Sequence, residues 1–294
     1  MRMRPPQGLS PDRTVIIAGP TASGKSALAL AIAEAQGGVI VNADALQIWS
    51  CWRVLTARPG PSDEARAPHR LYGHVTPGRS YSVGDWLAEV AALRDQGARL
   101  IIAGGTGLYL STLTRGLAVI PPVPAEIRAK ADALLAEGGL AQMVAELDGD
   151  SRARIDVQNP ARVQRAWEVL QATGRGIAAW QAETPPPLIA PESAHCLVME
   201  ADRDWLADRI ALRFRQMMAA GALDEVRAVL PAWDPRAQWS KAIGAPELVA
   251  HLQGKLSLDE AVERAIISTR QYAKSQRIWF RGRMRDWQAI TSGS

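Results

Sequence analysis

Residues 19–26, GPTASGKS, place Gly19, Gly24, Lys25 and Ser26 at the spacing G-x-x-x-x-G-K-S. That spacing suits a phosphate. Glycines let the chain turn so that the backbone N–H groups of Thr21, Ala22, Ser23 and their neighbours converge on anionic oxygens. A helix over residues 26–36, SALALAIAEAQ, adds the positive end of its dipole. Lys25 contributes a point charge, and the Ser26 hydroxyl can ligate Mg²⁺. The spacing does not say which phosphate compound is held.

Two further groups bear on that question. ATP-hydrolysing proteins with this loop carry an acidic residue at the end of a neighbouring apolar strand. Here the strand RLIIAGGTGLYL ends in Gly104, Gly105 and Thr106, and the acid at a strand end is Asp44, after GVIVNA. A diphosphate cradle facing a lone carboxylate suits removal of a proton from a second substrate better than activation of water. An aspartate at this point also caps helices, and spacing alone leaves both roles open.

The elements that position these residues read as a parallel α/β domain. TVIIAG (14–19), GVIVNAD (38–44) and ARLIIAGG (98–105) are short apolar runs separated by helical stretches, and AHCLVMEA (194–201) adds a fourth. Strands alternating with helices predict a P-loop NTPase-like parallel sheet with helices on both faces. Proline clusters at 121–124 and 185–187 bracket a helical stretch in which Asn159, Pro160 and Gly174 supply cap, first position and stop. The division expected is a first core segment over 1–118, a helical insertion over 119–193, and a return to the core over 194–294 ending in a basic helix.

Between Val262 and Arg285 there are seven Lys or Arg and a single acid, Glu263. Arg270, Lys274, Arg277 and Arg281, spaced 4, 3 and 4, fall on one helical stripe. A single-sign stripe suits a nucleic-acid backbone. Arg152, Arg154, Arg162 and Arg165 form a second basic group in the insertion.

Bulk properties narrow the class. The chain has 294 residues, 47% of them hydrophobic and 22% charged, which suits a folded domain with a sizeable core. A net charge of +4 permits an anionic partner without demanding one. Cys51 and Cys196 stand far apart, outside any disulfide or zinc pattern. No apolar run approaches the roughly 20 residues of a membrane helix, and the first residues lack a signal-peptide core. A cytoplasmic monomer with no membrane contact is expected.

The ordered series GPTASGKS, NADALQIW, LTARP, PHRL, YSVGDW, GGTGLYL, NPARVQRAWEVLQATGR, KAIGAPE and STRQYAKSQRIWFR resembles the tRNA dimethylallyltransferases over nearly the whole chain. The resemblance implies transfer of a dimethylallyl group from dimethylallyl diphosphate to N6 of adenosine 37, within the A36-A37 sequence of a tRNA anticodon stem-loop. It assigns proton removal to Asp44 beside Thr106, diphosphate binding to Gly19, Thr21, Ala22, Ser23, Gly24, Lys25 and Ser26 with Arg213, and Mg²⁺ to Ser26. It also gives adenine reading to Gln47, whose amide can meet the base edge with two bonds, and RNA contact to the insertion and to Arg270. Extrusion of the base should accompany binding. Ala45, Trp49, Arg58, Asn159 and Ala245 depart from the family pattern. A small-molecule P-loop kinase using ATP is the competing enzyme reading, and a non-catalytic RNA-binding adaptor is a third.

Overall fold

In the computed structural model, which describes residues 3–292, the chain divides into two compact units. The larger comprises residues up to Thr114 and from Leu188 onward; the smaller is Arg115–Pro187.

The larger unit begins with β1 (Thr14–Ala18), α1 (Lys25–Gln36), β2 (Val39–Asn42), the single turn α2 (Pro61–Glu64), β3 (His69–Arg70), α3 (Val83–Asp95), β4 (Leu100–Gly104) and α4 (Gly107–Arg115). The smaller unit contains α5 (Ala125–Ala136), α6 (Leu140–Glu146), α7 (Gly149–Arg154), α8 (Pro160–Thr173) and α9 (Ile177–Ala182). The larger unit resumes with β5 (Ala194–Ala201), α10 (Arg203–Ala219), α11 (Ala222–Val229), α12 (Ala245–Leu252), α13 (Leu258–Arg283) and β6 (Gln288–Ser292).

The six strands pair in the order β3-β2-β4-β1-β5-β6, all parallel. Their apolar runs follow from burial on both faces. Alternate residues serve the two faces. Ile16, Val41 and Ile102 join one core with Trp86, Leu110 and Ile266. Val15, Ile17, Ile40 and Ile101 join another with Leu28 and Ile32 of α1. The chain leaves β1, β2 and β4 at the same edge, the carboxyl edge where open α/β sheets bind ligands.

All four strands read from the sequence are present, whereas β3 and β6 carried no signal. β3 has two residues, and β6, QAITS, is an edge strand whose side chains are mostly exposed. In the smaller unit, Asn159 caps α8 through its side-chain oxygen, Pro160 opens the helix and Gly174 closes it at φ +67°. The helical composition over residues 125–147 breaks where Gly138 turns at φ +81°.

The expected boundaries at 118/119 and 193/194 are corrected to 114/115 and 187/188. Ile189 donates its N–H to the Leu113 carbonyl at 3.1 Å and is buried in the sheet-side core, so the segment before β5 belongs to the larger unit. At the other boundary, a side chain on Gly116 would lie 2.3 Å from the Pro185 carbonyl oxygen; the entry and exit of the smaller unit touch there.

Candidate active site

The phosphate loop links β1 to α1, and its geometry depends on residues that tolerate unusual backbone. Gly24, which precedes α1, has φ +95°, and Ala22 adopts φ +63°. A Cβ on Gly19 would stand 2.7 Å from Met199 Cβ and 2.8 Å from Ser23 Oγ. Ser23 is buried, and its carbonyl accepts a 2.7 Å bond from the Ser292 hydroxyl of β6. The unanticipated edge strand therefore braces the loop.

Lys25 turns its ammonium back onto the Pro20 carbonyl at 3.2 Å. Burial lowers its pKa to about 8, opposed by the nearby Asp44 carboxylate and assisted by Arg213. Arg213 of α10 reaches the loop at Thr21 Oγ1, 3.4 Å away, and burial lowers its pKa too, with Asp44 opposing and Arg209 assisting. Arg209 donates to the Ala22 carbonyl at 3.1 Å. Two guanidinium groups from α10 thus flank the loop, and Ser26 lies exposed beside it.

Asp44 follows β2 in a turn built by Asn42. That fully buried asparagine accepts from Asp44 N–H and donates to the carbonyls of Asp44 and Leu71. One carboxylate oxygen, Oδ1, accepts from Leu46 N–H at 3.0 Å. No helix follows Asp44, so this bond closes a local turn and does not cap a helix, and it occupies one oxygen. Oδ2 lies beside Gly105, 3.3 Å from where that residue's Cβ would be.

Thr106 docks onto the same turn, its N–H on the Ala43 carbonyl and its Oγ1 accepting from Ala45 N–H at 2.9 Å. The glycines around it permit close approach. A Cβ on Gly104 would sit 2.0 Å from the Ala43 carbonyl oxygen, and one on Gly107 2.1 Å from Trp279 Nε1.

Gln47 donates from Nε2 to the carbonyls of Thr56 and Ala57, at 2.8 and 3.1 Å. Both amide hydrogens are committed, so the two-bond contact expected of this amide lacks a free donor, and Oε1 is the atom it has left to offer. The departures from the family pattern have structural places. Trp49 and Ala245 are buried, and Arg58 donates to the carbonyls of Trp49 and Trp52.

Thr21, Lys25, Ser26, Asp44, Gln47 and Arg213 line a single pocket, and Thr106 borders it through Tyr272. Its apolar wall is formed by Leu46, Leu55, Ile210, Phe214, Met217 and Ile243. Sequence reasoning missed this wall, and it missed two residues of α13. Tyr272 lies beside the Thr106 and Gln276 side chains, its hydroxyl pKa raised by burial and by Asp44. Gln276, 5% exposed, accepts from Thr21 N–H at 2.8 Å and donates to the Gly105 carbonyl at 2.9 Å. The four-residue spacing of Tyr272, Gln276 and Phe280 is the signal that could have found them, since it puts a polar residue on the inward face of an amphipathic helix.

Arg270, Lys274, Arg277 and Arg281 share one groove with Leu206 and Ile210 of α10. In the smaller unit, Arg152 and Arg154 are exposed on α7. Arg162 stands 3.8 Å from Asp156, and Arg165 stands 3.9 Å from the buried Glu168.

Comparison with known proteins gives consistent results. The family model for IPP transferase matches residues 47–283. The tRNA dimethylallyltransferase of Paracoccus denitrificans is 71% identical over 291 residues, covering 97% of this chain and 96% of that protein. The protein of the same name from Cereibacter sphaeroides is 64% identical over 279 residues, covering 95% and 89%. Among solved structures, the tRNA isopentenylpyrophosphate transferase of Bacillus halodurans superposes with a TM-score of 0.68 at 26% identity, covering 95% of this chain and 90% of that one. The corresponding enzyme of Staphylococcus epidermidis gives 0.65 at 28%, covering 95% and 92%.

Proposed function

The chain belongs to the IPP transferase family, and we propose that it transfers a dimethylallyl group from dimethylallyl diphosphate to N6 of adenosine 37 in tRNA, releasing diphosphate. The observation that carries this reading is the composition of one pocket: a phosphate loop, a carboxylate with an oxygen to spare and a wall of six apolar residues. A nucleotide kinase needs the first two. The apolar wall suits a five-carbon tail.

The Thr21 N–H is held by Gln276 and the Ser23 N–H by the Pro20 carbonyl, so the remaining loop amides, with Lys25 and Arg213, bind the diphosphate and stabilise the charge that grows on it as the allylic C–O bond stretches. The exocyclic amine of adenine is a weak nucleophile, and Asp44 Oδ2 takes its proton as the C–N bond forms. Thr106 holds the Asp44 turn in place through Ala45 N–H. Gln47 Oε1 accepts from the amine and orients the base. The groove along Arg270, Lys274, Arg277 and Arg281 carries RNA phosphates, as do Arg162 and Arg165 of the smaller unit.

Among the described residues, no group of three or more His, Cys, Asp or Glu could hold a metal ion. A cation here draws its ligands from diphosphate oxygens, water and the Ser26 hydroxyl, an all-oxygen set that fits Mg²⁺. When bound, Mg²⁺ neutralises diphosphate charge. The enzyme works as a monomer in the cytoplasm, where it meets its tRNA. Among the described residues no helix is long and apolar enough to cross a membrane.

The test incubates the purified protein with labelled dimethylallyl diphosphate, Mg²⁺ and a tRNA containing A36-A37. Label appearing in RNA is the expected result. ATP turnover without label points to the kinase, and RNA binding with neither points to the adaptor.

A further inference from the structure

Residues 53–57 lie between β2 and α2 in neither strand nor helix, yet they shape the pocket through Leu55 and Thr56. Local bonds give this loop its turn: Ala57 N–H to the Val54 carbonyl at 2.9 Å and Arg58 N–H to the Arg53 carbonyl at 3.0 Å. Ala57 closes it in the left-handed region at φ +49°, a conformation that costs a residue with a Cβ. Something must hold so short and strained a loop.

Glu225 holds it. From α11 its Oε1 accepts from the N–H groups of Arg53 and Val54 at 2.5 and 2.9 Å, and its Oε2 accepts from Leu55 N–H at 2.8 Å. Three successive amides converge on one carboxylate as they would on a bound anion. Hydrogen bonds to an ionised acceptor are about twice as strong as neutral ones.

The held loop in turn fixes Gln47. The Thr56 and Ala57 carbonyls, the next two positions along, take both hydrogens of its amide. Because carbonyls only accept, the amide nitrogen must face the loop and the oxygen must face away. Gln47 is thereby set to meet a base that offers an N–H, as adenine does at N6, and to disfavour a base that offers a carbonyl there.

We propose that Glu225 is a positioning residue for base recognition, acting through the 53–57 loop to hold Gln47 with its acceptor toward the pocket. This rests on the prenyl-transfer reading above. Replacing the carboxylate by an amide turns one of its two acceptor oxygens into a donor, so at least one loop amide loses its acceptor; the loop then slackens, and the Gln47 amide is free to turn over.

A double-mutant cycle tests this with Glu225→Gln, which keeps size but loses charge and places an N–H against the loop amides. Labelled transfer is measured on a stem-loop with adenosine at position 37, and inhibition by the same stem-loop with inosine there. In the native background Glu225→Gln should lower kcat/KM for the RNA about tenfold and tighten inhibition by the inosine RNA. In a Gln47→Ala background the same change should cost less than about twofold, because the side chain it positions is gone. Equal losses in both backgrounds, unchanged inosine inhibition, or a fully active Gln47→Ala each overturn the proposal. Should Glu225→Gln fold poorly by thermal melting, Glu225→Asp keeps the charge one methylene shorter and should show the same non-additivity with a smaller loss. A native protein that puts no label into RNA refutes the functional reading instead, before the cycle begins.

Discussion

The side-chain carbonyl of Gln276 accepts a hydrogen bond from the backbone N–H of Thr21, 2.8 Å away across 255 positions of sequence. One amide of the phosphate loop is therefore tied to α13, whose outward face carries the basic stripe. The same side chain donates to the Gly105 carbonyl, so it ties β1 to the end of β4 as well. A single buried amide sets the spacing between the anion cradle and the Asp44–Thr106 turn.

Gln276→Ala removes both bonds and leaves the buried Gly105 carbonyl without its donor, worth about 1–3 kcal/mol, while the part-buried Thr21 N–H opens onto the pocket. Thermal melting should fall, and dimethylallyl diphosphate should bind more weakly. Gln276→Glu keeps the shape and the acceptor but loses the donor and puts negative charge beside the cradle. It should weaken diphosphate binding by about tenfold or more in titration calorimetry. Equal effects of the two variants on binding would mean that Gln276 acts on stability alone.

The sheet and the loop were legible because their signals are local. A β-branched run, a glycine spacing and a helix start lie within one short stretch around Lys25, and Asn159, Pro160 and Gly174 sit within one helix. Pairings across the chain were not legible. Nothing near Gln276 announces that its partner is Thr21, and nothing near Glu225 announces residues 53–55. Gln47 shows the limit most clearly. Its residue type suggested two bonds to a base, whereas its neighbours' carbonyls, placed by the fold, take both of its donors.

Lys25 should make diphosphate binding pH-dependent. Its pKa of about 8 in the folded protein lies below the ordinary 10.5, so between those values the unfolded chain holds more protons. This group's contribution to stability therefore rises with pH across that window and is least favourable below about 8. Anion binding reverses the preference, because a diphosphate favours the charged ammonium. Affinity for dimethylallyl diphosphate should be insensitive to Lys25 below pH 8 and weaken above it, approaching tenfold per pH unit. Lys25→Met should bind weakly throughout and lose this dependence. An unchanged slope in the variant would assign the titration elsewhere.

Asp44→Asn separates the two jobs of that residue. The amide oxygen of asparagine can still accept from Leu46 N–H, so the turn survives, but the side chain no longer takes a proton. Transfer in a single-turnover assay should fall on the order of 10²–10⁴-fold, while RNA affinity stays within about threefold. Comparable losses in both measurements would mean that the carboxylate serves the turn.

The basic stripe tests whether the RNA surface is a place or merely a charge. Lys274 and Arg281 line the groove between α10 and α13, whereas Arg264, on the same helix and equally exposed, lies outside it. Each neutralising change removes one positive charge, so a response to net charge alone makes Lys274→Ala, Arg281→Ala and Arg264→Ala equivalent. A phosphate contact behaves differently, because losing it also loses the counterions it displaced. Plots of log Kd for tRNA against log salt should flatten by about 0.7–0.9 for each of the two groove variants and stay unchanged for Arg264→Ala. Dimethylallyl diphosphate affinity should be the same in all three, since none of these side chains lines the diphosphate pocket. Equal slopes for the three variants would move the RNA off this groove, and with it the coupling that Gln276 offers between the RNA helix and the phosphate loop.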